Sequence, residues 1–155
     1  MEADLLEPPA AAPAPRPLSR VAAAFDPAAV VAAIPAQPEP GRSRRWALLY
    51  RDAELEAWAI AWPAGTGLPL HDHDGSRAGV HVVAGRLRER YVDSAVGPEG
   101  GPTGPAPIAV RWWGAGERYE LPADHVHEVV NVTADEAVSV HVYSPPLGDI
   151  RFREG

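Results

Sequence analysis

The sequence predicts a mainly β protein, a single antiparallel sandwich or barrel preceded by a short helical segment. Three observations predict it. From Trp46 onward the apolar residues recur with period two, as in Trp58, Ile60 and Trp62 against Ala57, Ala59 and Ala61, which is the signature of strands. The runs are short and separated by Gly- and Pro-containing turns, as sandwiches and barrels require. Upstream, an alanine-rich stretch carries apolar residues at helical rather than alternating spacing.

Taken in order, residues 1–17 are rich in Pro and Ala, with Pro8, Pro9, Pro13, Pro15 and Pro17. Proline removes the backbone donor that a helix or a sheet ladder needs, so an extended, flexible segment is expected. Residues 18–41 form the helical segment, with Leu18, Val21, Phe25, Val30, Val31 and Ile34 among alanines over 18–34. Asp26 followed by Pro27 reads as an N-cap and a proline at the first helical position, which divides the stretch into two short helices. Pro35, Pro38, Pro40 and Gly41 close it. The domain proper is 42–155, with strands expected at 46–50, 55–62, 79–84, 86–93, 108–113, 117–121, 126–132 and 137–143. The Gly/Pro run 97–107 is expected to be a loop, a hairpin excursion.

Composition excludes several function classes. The 155 residues carry a formal charge of −7, so no broad basic surface is available for nucleic acid or anionic lipid. There are no cysteines, which removes disulfides and thiolate ligands and agrees with a reducing, cytoplasmic setting. No apolar run is long enough to span a membrane, and the start Met1, Glu2, Ala3, Asp4 is acidic, unlike a signal peptide. The expectation is a soluble cytoplasmic protein acting on a small molecule; nothing in the sequence specifies its oligomeric state.

The chemistry lies in the histidines. All six, His71, His73, His81, His125, His127 and His141, fall in the β region. A lone strand histidine is ordinarily structural. Two at i and i+2 share a strand face and come close enough to share a cation, and this occurs twice, at His71/His73 and at His125/His127. Neutral imidazole is the commonest ligand for Zn, Fe, Cu and Ni.

Spacing sharpens the reading. Gly65, five residues, His71, one residue, His73, and a closing Gly85 follow the first cupin motif, G-x5-H-x-H-x3,4-E-x6-G, except that Ala78 stands where the glutamate belongs. Gly116, five residues, Pro122, then His127 and Asn131 follow the second, G-x5-P-x-G-x2-H-x3-N, with Asp124 in place of its glycine. Together they point to a cupin, a jelly-roll-like β-barrel. Without the glutamate, three neutral imidazoles leave the full charge of a divalent metal to attract an anionic ligand, and leave coordination positions open.

The runs Leu70-His71-Asp72-His73-Asp74-Gly75-Ser76 and Ala137-Val138-Ser139-Val140-His141-Val142-Tyr143-Ser144-Pro145-Pro146 resemble the cysteine dioxygenase family of thiol dioxygenases. The resemblance covers roughly 44–147. It implies a three-histidine Fe(II) site at His71, His73 and His127. It also implies a hydrogen-bonded triad of Ser139, His141 and Tyr143 beside that site, and conversion of a small thiol, cysteine or 3-mercaptopropionate, to its sulfinate by O2. His125 aligns with no ligand of the family. Vertebrate members link the triad tyrosine to a cysteine; Ala78 stands at that position here, so no such bond can form. The family's carboxylate-binding arginine is matched only loosely, by Arg45, with Arg77 as the second candidate because it follows His73 by four residues. Alternation supports the triad independently: residues 139, 141 and 143 share one strand face, with valines on the other.

Two rival classes stay open at this stage. One is a non-oxidative metal cupin, an isomerase or hydrolase using Zn or Mn. The other is a non-catalytic cupin that binds a small molecule.

Overall fold

The structure is a computed structural model, and it describes residues 16–93 and 107–147. Among the described residues two short helices, α1 (Leu18–Ala23) and α2 (Pro27–Ala33), precede nine strands: β1 (Arg45–Arg51), β2 (Glu56–Trp62), β3 (Gly67–His71), β4 (Arg77–Ala84), β5 (Arg86–Val92), β6 (Ile108–Gly114), β7 (Arg118–Leu121), β8 (His127–Val130) and β9 (Ala137–Ser144). They form two antiparallel sheets, a five-stranded one in the order β1-β2-β9-β4-β7 and a four-stranded one in the order β3-β8-β5-β6. This is the mainly β, jelly-roll-like cupin architecture that the sequence predicts. The expected N-cap is present: the Asp26 side chain accepts a hydrogen bond from the Ala29 backbone, with Pro27 opening α2. The Pro/Ala-rich start up to residue 15, and all of the expected 97–107 loop except Pro107, lie outside the described residues. The strands flanking that loop, β5 and β6, pair directly.

β2 and β9 decide what faces where. Ala57, Ala59 and Ala61 of β2 join Val138, Val140 and Val142 of β9 in one apolar cluster with Leu18, Ala22 and Val30 of the helices. The small alanines let the helices lie close to the sheet. Ile60 and Trp62 point the other way, into a second cluster with Leu68, Val82, Leu87 and Val129 between the sheets. On this same helix-covered face α1 sits directly on β4, where Gly79 pairs with Val142 and any side chain at Gly79 would run into the backbone of Leu18 and Ser19. Gly85, the closing glycine of the first motif, has φ +74 and meets Ala137, so a tight β4–β5 turn with a left-handed residue requires it. Asn131, the last residue of the second motif, is buried. Its amide donates to the Trp62 and Asp135 carbonyls and its oxygen accepts from the Thr133 backbone, tying the end of β8 to β2.

The sequence reading missed β3. This strand contains Gly67 and Pro69, both poor strand residues. It is tolerated because β3 is an edge strand whose pairing with β8 is irregular between Leu68 and His71, where Pro69 falls.

Candidate metal centre

His71 ends β3 and is the direct cross-strand partner of His127 at the start of β8. The strand stops at His71, so His73 reaches the cluster from a turn and not, as alternation predicted, from the same strand face. That turn carries two consecutive left-handed residues, Asp74 and Gly75, and a Ser76 N–H to His73 carbonyl bond of 3.0 Å. His125 likewise lies just before β8, outside the strand. The rings of His71, His73 and His127 lie 4.7–5.1 Å apart by centroid. One nitrogen from each lies within 4.8 Å of the others.

These donors suit a divalent metal. Burial first, then the neighbouring His127, depresses the pKa of His71 to about 4 and of His73 to about 3, so both are neutral, as ligands must be. His127 is also pushed down, chiefly by burial. His71 Nδ1 lies 2.7 Å from the Pro69 carbonyl, an acceptor that fixes the proton on Nδ1 and leaves Nε2 for a metal. His73 Nδ1 is buried without a hydrogen-bond partner. Three neutral imidazoles with no carboxylate among them could hold one metal ion and leave positions open to other ligands.

Facing the cluster across the barrel, β9 presents Ser139, His141 and Tyr143, all buried. They are connected: Ser139 Oγ to His141 Nε2 at 2.9 Å, and His141 Nδ1 to the Tyr143 hydroxyl at 3.3 Å. Trp62 Nε1 donates to Ser139 Oγ at 2.9 Å, extending the chain by a residue that sequence reasoning did not single out. β9 is a central strand, between β2 and β4, and its valine face is covered by the helices, so its polar face looks into the barrel. Burial is the main cause that raises the Tyr143 hydroxyl above its ordinary value and keeps His141 well below its own. The Tyr143 ring lies 5.4 Å from that of His73, which joins the two arrays.

The sequence profile of the family described as Cysteine dioxygenase type I matches residues 23–154. The chain belongs to the cysteine dioxygenase type I family. Solved structures agree on the fold. A Klebsiella pneumoniae protein with a double-stranded β-helix domain is 16% identical, covering 78% of this chain and 88% of that one, with a TM-score of 0.57. A Thermus thermophilus protein is 18% identical over 72% of this chain and 90% of that one, at 0.55. The Schizosaccharomyces pombe Cnp3 cupin domain is 10% identical over 66% of this chain, at 0.53, and the match spans 61% of that chain's length.

The arginines near the start of β1 and β4 have distinct surroundings. Arg45 is engaged with both Glu136 carboxylate oxygens at 2.6 and 2.7 Å and the Pro35 carbonyl at 2.9 Å. Arg77 is exposed at the start of β4, whereas its neighbour Ala78 is buried. Arg44, one residue before Arg45, is fully buried. Its guanidinium lies over the Trp62 ring at 4.9 Å, and its charge helps depress His71 and His141, after larger effects of burial and other histidines. His81 lies beside Arg118, which adds to the effect of burial in lowering its pKa, and it joins neither array.

Glu89 was also missed. It is fully buried on β5 and bonded to His125, Arg111 and Trp113. The signal was present: Leu87, Glu89 and Tyr91 alternate with Arg86, Arg88 and Arg90, which puts Glu89 on the leucine's face. The density of charge in that run masked it.

Proposed function

We propose that this protein is a thiol dioxygenase that converts a small thiol, cysteine or 3-mercaptopropionate, to its sulfinate at an Fe(II) held by His71, His73 and His127. The observation that carries the reading is the 5.4 Å approach of Tyr143 to His73, which ends the Trp62–Ser139–His141–Tyr143 chain beside the three imidazoles. Family membership supports it. The reaction balances as RSH + O2 → RSO2⁻ + H⁺: the S–H bond breaks, both oxygen atoms end on sulfur, and sulfur supplies every electron that O2 takes up. No separate reductant is needed. Iron at this site would supply adjacent positions where thiolate and O2 meet.

The residues around it have definable tasks. Trp62 can only donate, so Ser139 Oγ accepts from it. If Ser139 then donates to His141 Nε2, neutral His141 donates from Nδ1 to the Tyr143 oxygen, and the tyrosine's own hydrogen is left to point at substrate. The opposite polarity strands the Ser139 hydrogen deep in the barrel, at a cost of roughly 1–3 kcal/mol. Tyr143 is therefore a protonated donor held in place by His141.

The substrate carboxylate is assigned to Arg44 rather than to Arg45 or Arg77. A planar guanidinium grips a carboxylate with two parallel bonds, and Arg44 lies buried against Trp62, beside the triad.

The test is anaerobic loading with Fe(II), followed by O2 uptake with cysteine, 3-mercaptopropionate and cysteamine. Sulfinate formed in step with O2 consumed is expected. An iron-loaded protein that consumes no O2 with any thiol rejects the reading and leaves non-oxidative metal chemistry in its place.

A further inference from the structure

We propose that Glu89 is a positioning residue for the metal centre: its buried carboxylate fixes the tautomer and orientation of His127, so that Nε2 carries the lone pair toward His71 and His73. The inference rests on the proposed ligand set.

The carboxylate is surrounded by donors. Oε1 receives His125 Nε2 at 2.7 Å and Arg111 Nη2 at 2.9 Å, and Oε2 receives Trp113 Nε1 at 2.8 Å. Arg and Trp have only donors to offer here, so Glu89 acts as an acceptor on both oxygens. Glu89 and Arg111 are direct cross-strand partners on β5 and β6, which makes the arrangement part of the sheet and not a loop accident. His127 Nδ1 lies 3.5 Å from the same Oε1, longer than an ordinary hydrogen bond, and Glu89 is the acceptor that faces it. A lone pair on Nδ1 would point at a carboxylate oxygen; a proton there is attracted by it. The carboxylate's field therefore selects the Nδ1–H form, and the other nitrogen is left to bind. Partners of this kind raise ligand basicity and fix ring orientation.

Glu89, His125 and His127 also offer three ligand atoms within 4.8 Å of one another, but they do not make a second metal site. The Arg111 guanidinium holds the same oxygen a cation would need, and a dication would have to displace it. The group is a hydrogen-bonded hub that serves the first site. It also means that His125, which aligns with no ligand, is not neutral toward the centre, because it helps hold Glu89.

The test combines two measurements. In metal-free wild type labelled with ¹⁵N, long-range imidazole correlations report the His127 tautomer; Nδ1–H is expected, and Nε2–H overturns the proposal whatever any variant does. Next, Zn(II) affinity by chelator competition and the Co(II) absorption spectrum are compared between wild type and Glu89→Gln. A loss of about 10–100-fold in affinity with a shifted Co(II) spectrum is expected. Unchanged affinity and spectrum in a folded Glu89→Gln overturn the proposal. If Glu89→Gln does not fold, the wild-type tautomer decides. A wild type that binds no metal, yet shows the expected tautomer, rejects the proposed ligand set and with it the metal-positioning role, whereas a wild type that binds metal with the Nε2–H tautomer rejects the role of Glu89 alone.

Discussion

Ala78 on β4 and Tyr143 on β9 are direct cross-strand partners, both buried in the same cluster. The position that the first cupin motif gives to glutamate thus lies against the triad tyrosine and carries only a methyl group. Two consequences follow for chemistry: no carboxylate joins the histidines from here, and no thioether to Tyr143 can form. Specific activity should therefore be constant from the first turnovers, with no slow rise. Ala78→Cys should acquire such a bond when incubated with iron, thiol and O2, seen by mass spectrometry as the loss of two hydrogen atoms. A lag in the wild type, or no mass change in a folded Ala78→Cys, would contradict this geometry.

Tyr143→Phe should keep its metal and lose turnover by on the order of 10²-fold, the usual scale for a placed proton donor. The 3.3 Å contact with His141 makes His141→Ala a weaker version of the same defect, because the hydroxyl remains but is no longer aimed. Iron content and kcat measured together check both; normal O2 consumption by Tyr143→Phe removes the triad from the reaction.

His71→Ala, His73→Ala and His127→Ala should each lose more affinity than the 10–100-fold typical of a residue that only supports a ligand. His81, beside Arg118 and in neither array, serves as the control, and His81→Ala should bind metal like wild type. Metal analysis after dialysis against a weak chelator separates these outcomes.

Arg44→Lys should raise KM for cysteine and 3-mercaptopropionate by roughly 10–100-fold, the equivalent of 1.5–3 kcal/mol for hydrogen bonds to a charged group. Cysteamine, which has no carboxylate, should be little affected. Arg45→Ala should leave all three nearly unchanged, because Arg45 is occupied by Glu136. If cysteamine is the best substrate of the wild type, the carboxylate assignment fails.

Stability of the metal-free protein should fall with acid in a defined window. Unfolded histidines take up protons near the ordinary value of 6.5, whereas folded His71 and His73 resist protonation until about 4 and 3. The unfolded chain binds more protons in between, so stability is full above about pH 6.5 and is lost progressively as the pH falls toward those values. At about 1.4 kcal/mol per unit and group, reduced by the solvent that reaches partly buried His71, the loss is on the order of a few kcal/mol. Bound metal should oppose it, since it binds the same neutral imidazoles. Denaturant midpoints at pH 7.5, 6 and 5, with and without Zn(II), measure both effects.

The sequence by itself determined the class of fold and picked out the three histidines that the structure brings together. Period-two alternation in β2 and β9, the Asp26-Pro27 helix start and the two spaced histidine motifs are local properties, written within a few residues of each other, and each survives in the structure. Alternation also put Ser139, His141 and Tyr143 on one face, because that follows from strand geometry alone. Only tertiary structure decided which face was inside, and it did so by stacking α1 and α2 on the alanine and valine side of β2 and β9. Tertiary structure also decided among the arginines. Arg44 and Arg45 are adjacent in sequence and indistinguishable by type, yet one is buried over Trp62 and the other is paired with Glu136, ninety-one positions away. Glu89 shows the same limit. Alternation turns it inward, but what makes it a carboxylate hub is Arg111, Trp113, His125 and His127 arriving from other strands and loops. Burial of a charge depends on partners that are distant in sequence, and the sheet register, not local pattern, brings them together.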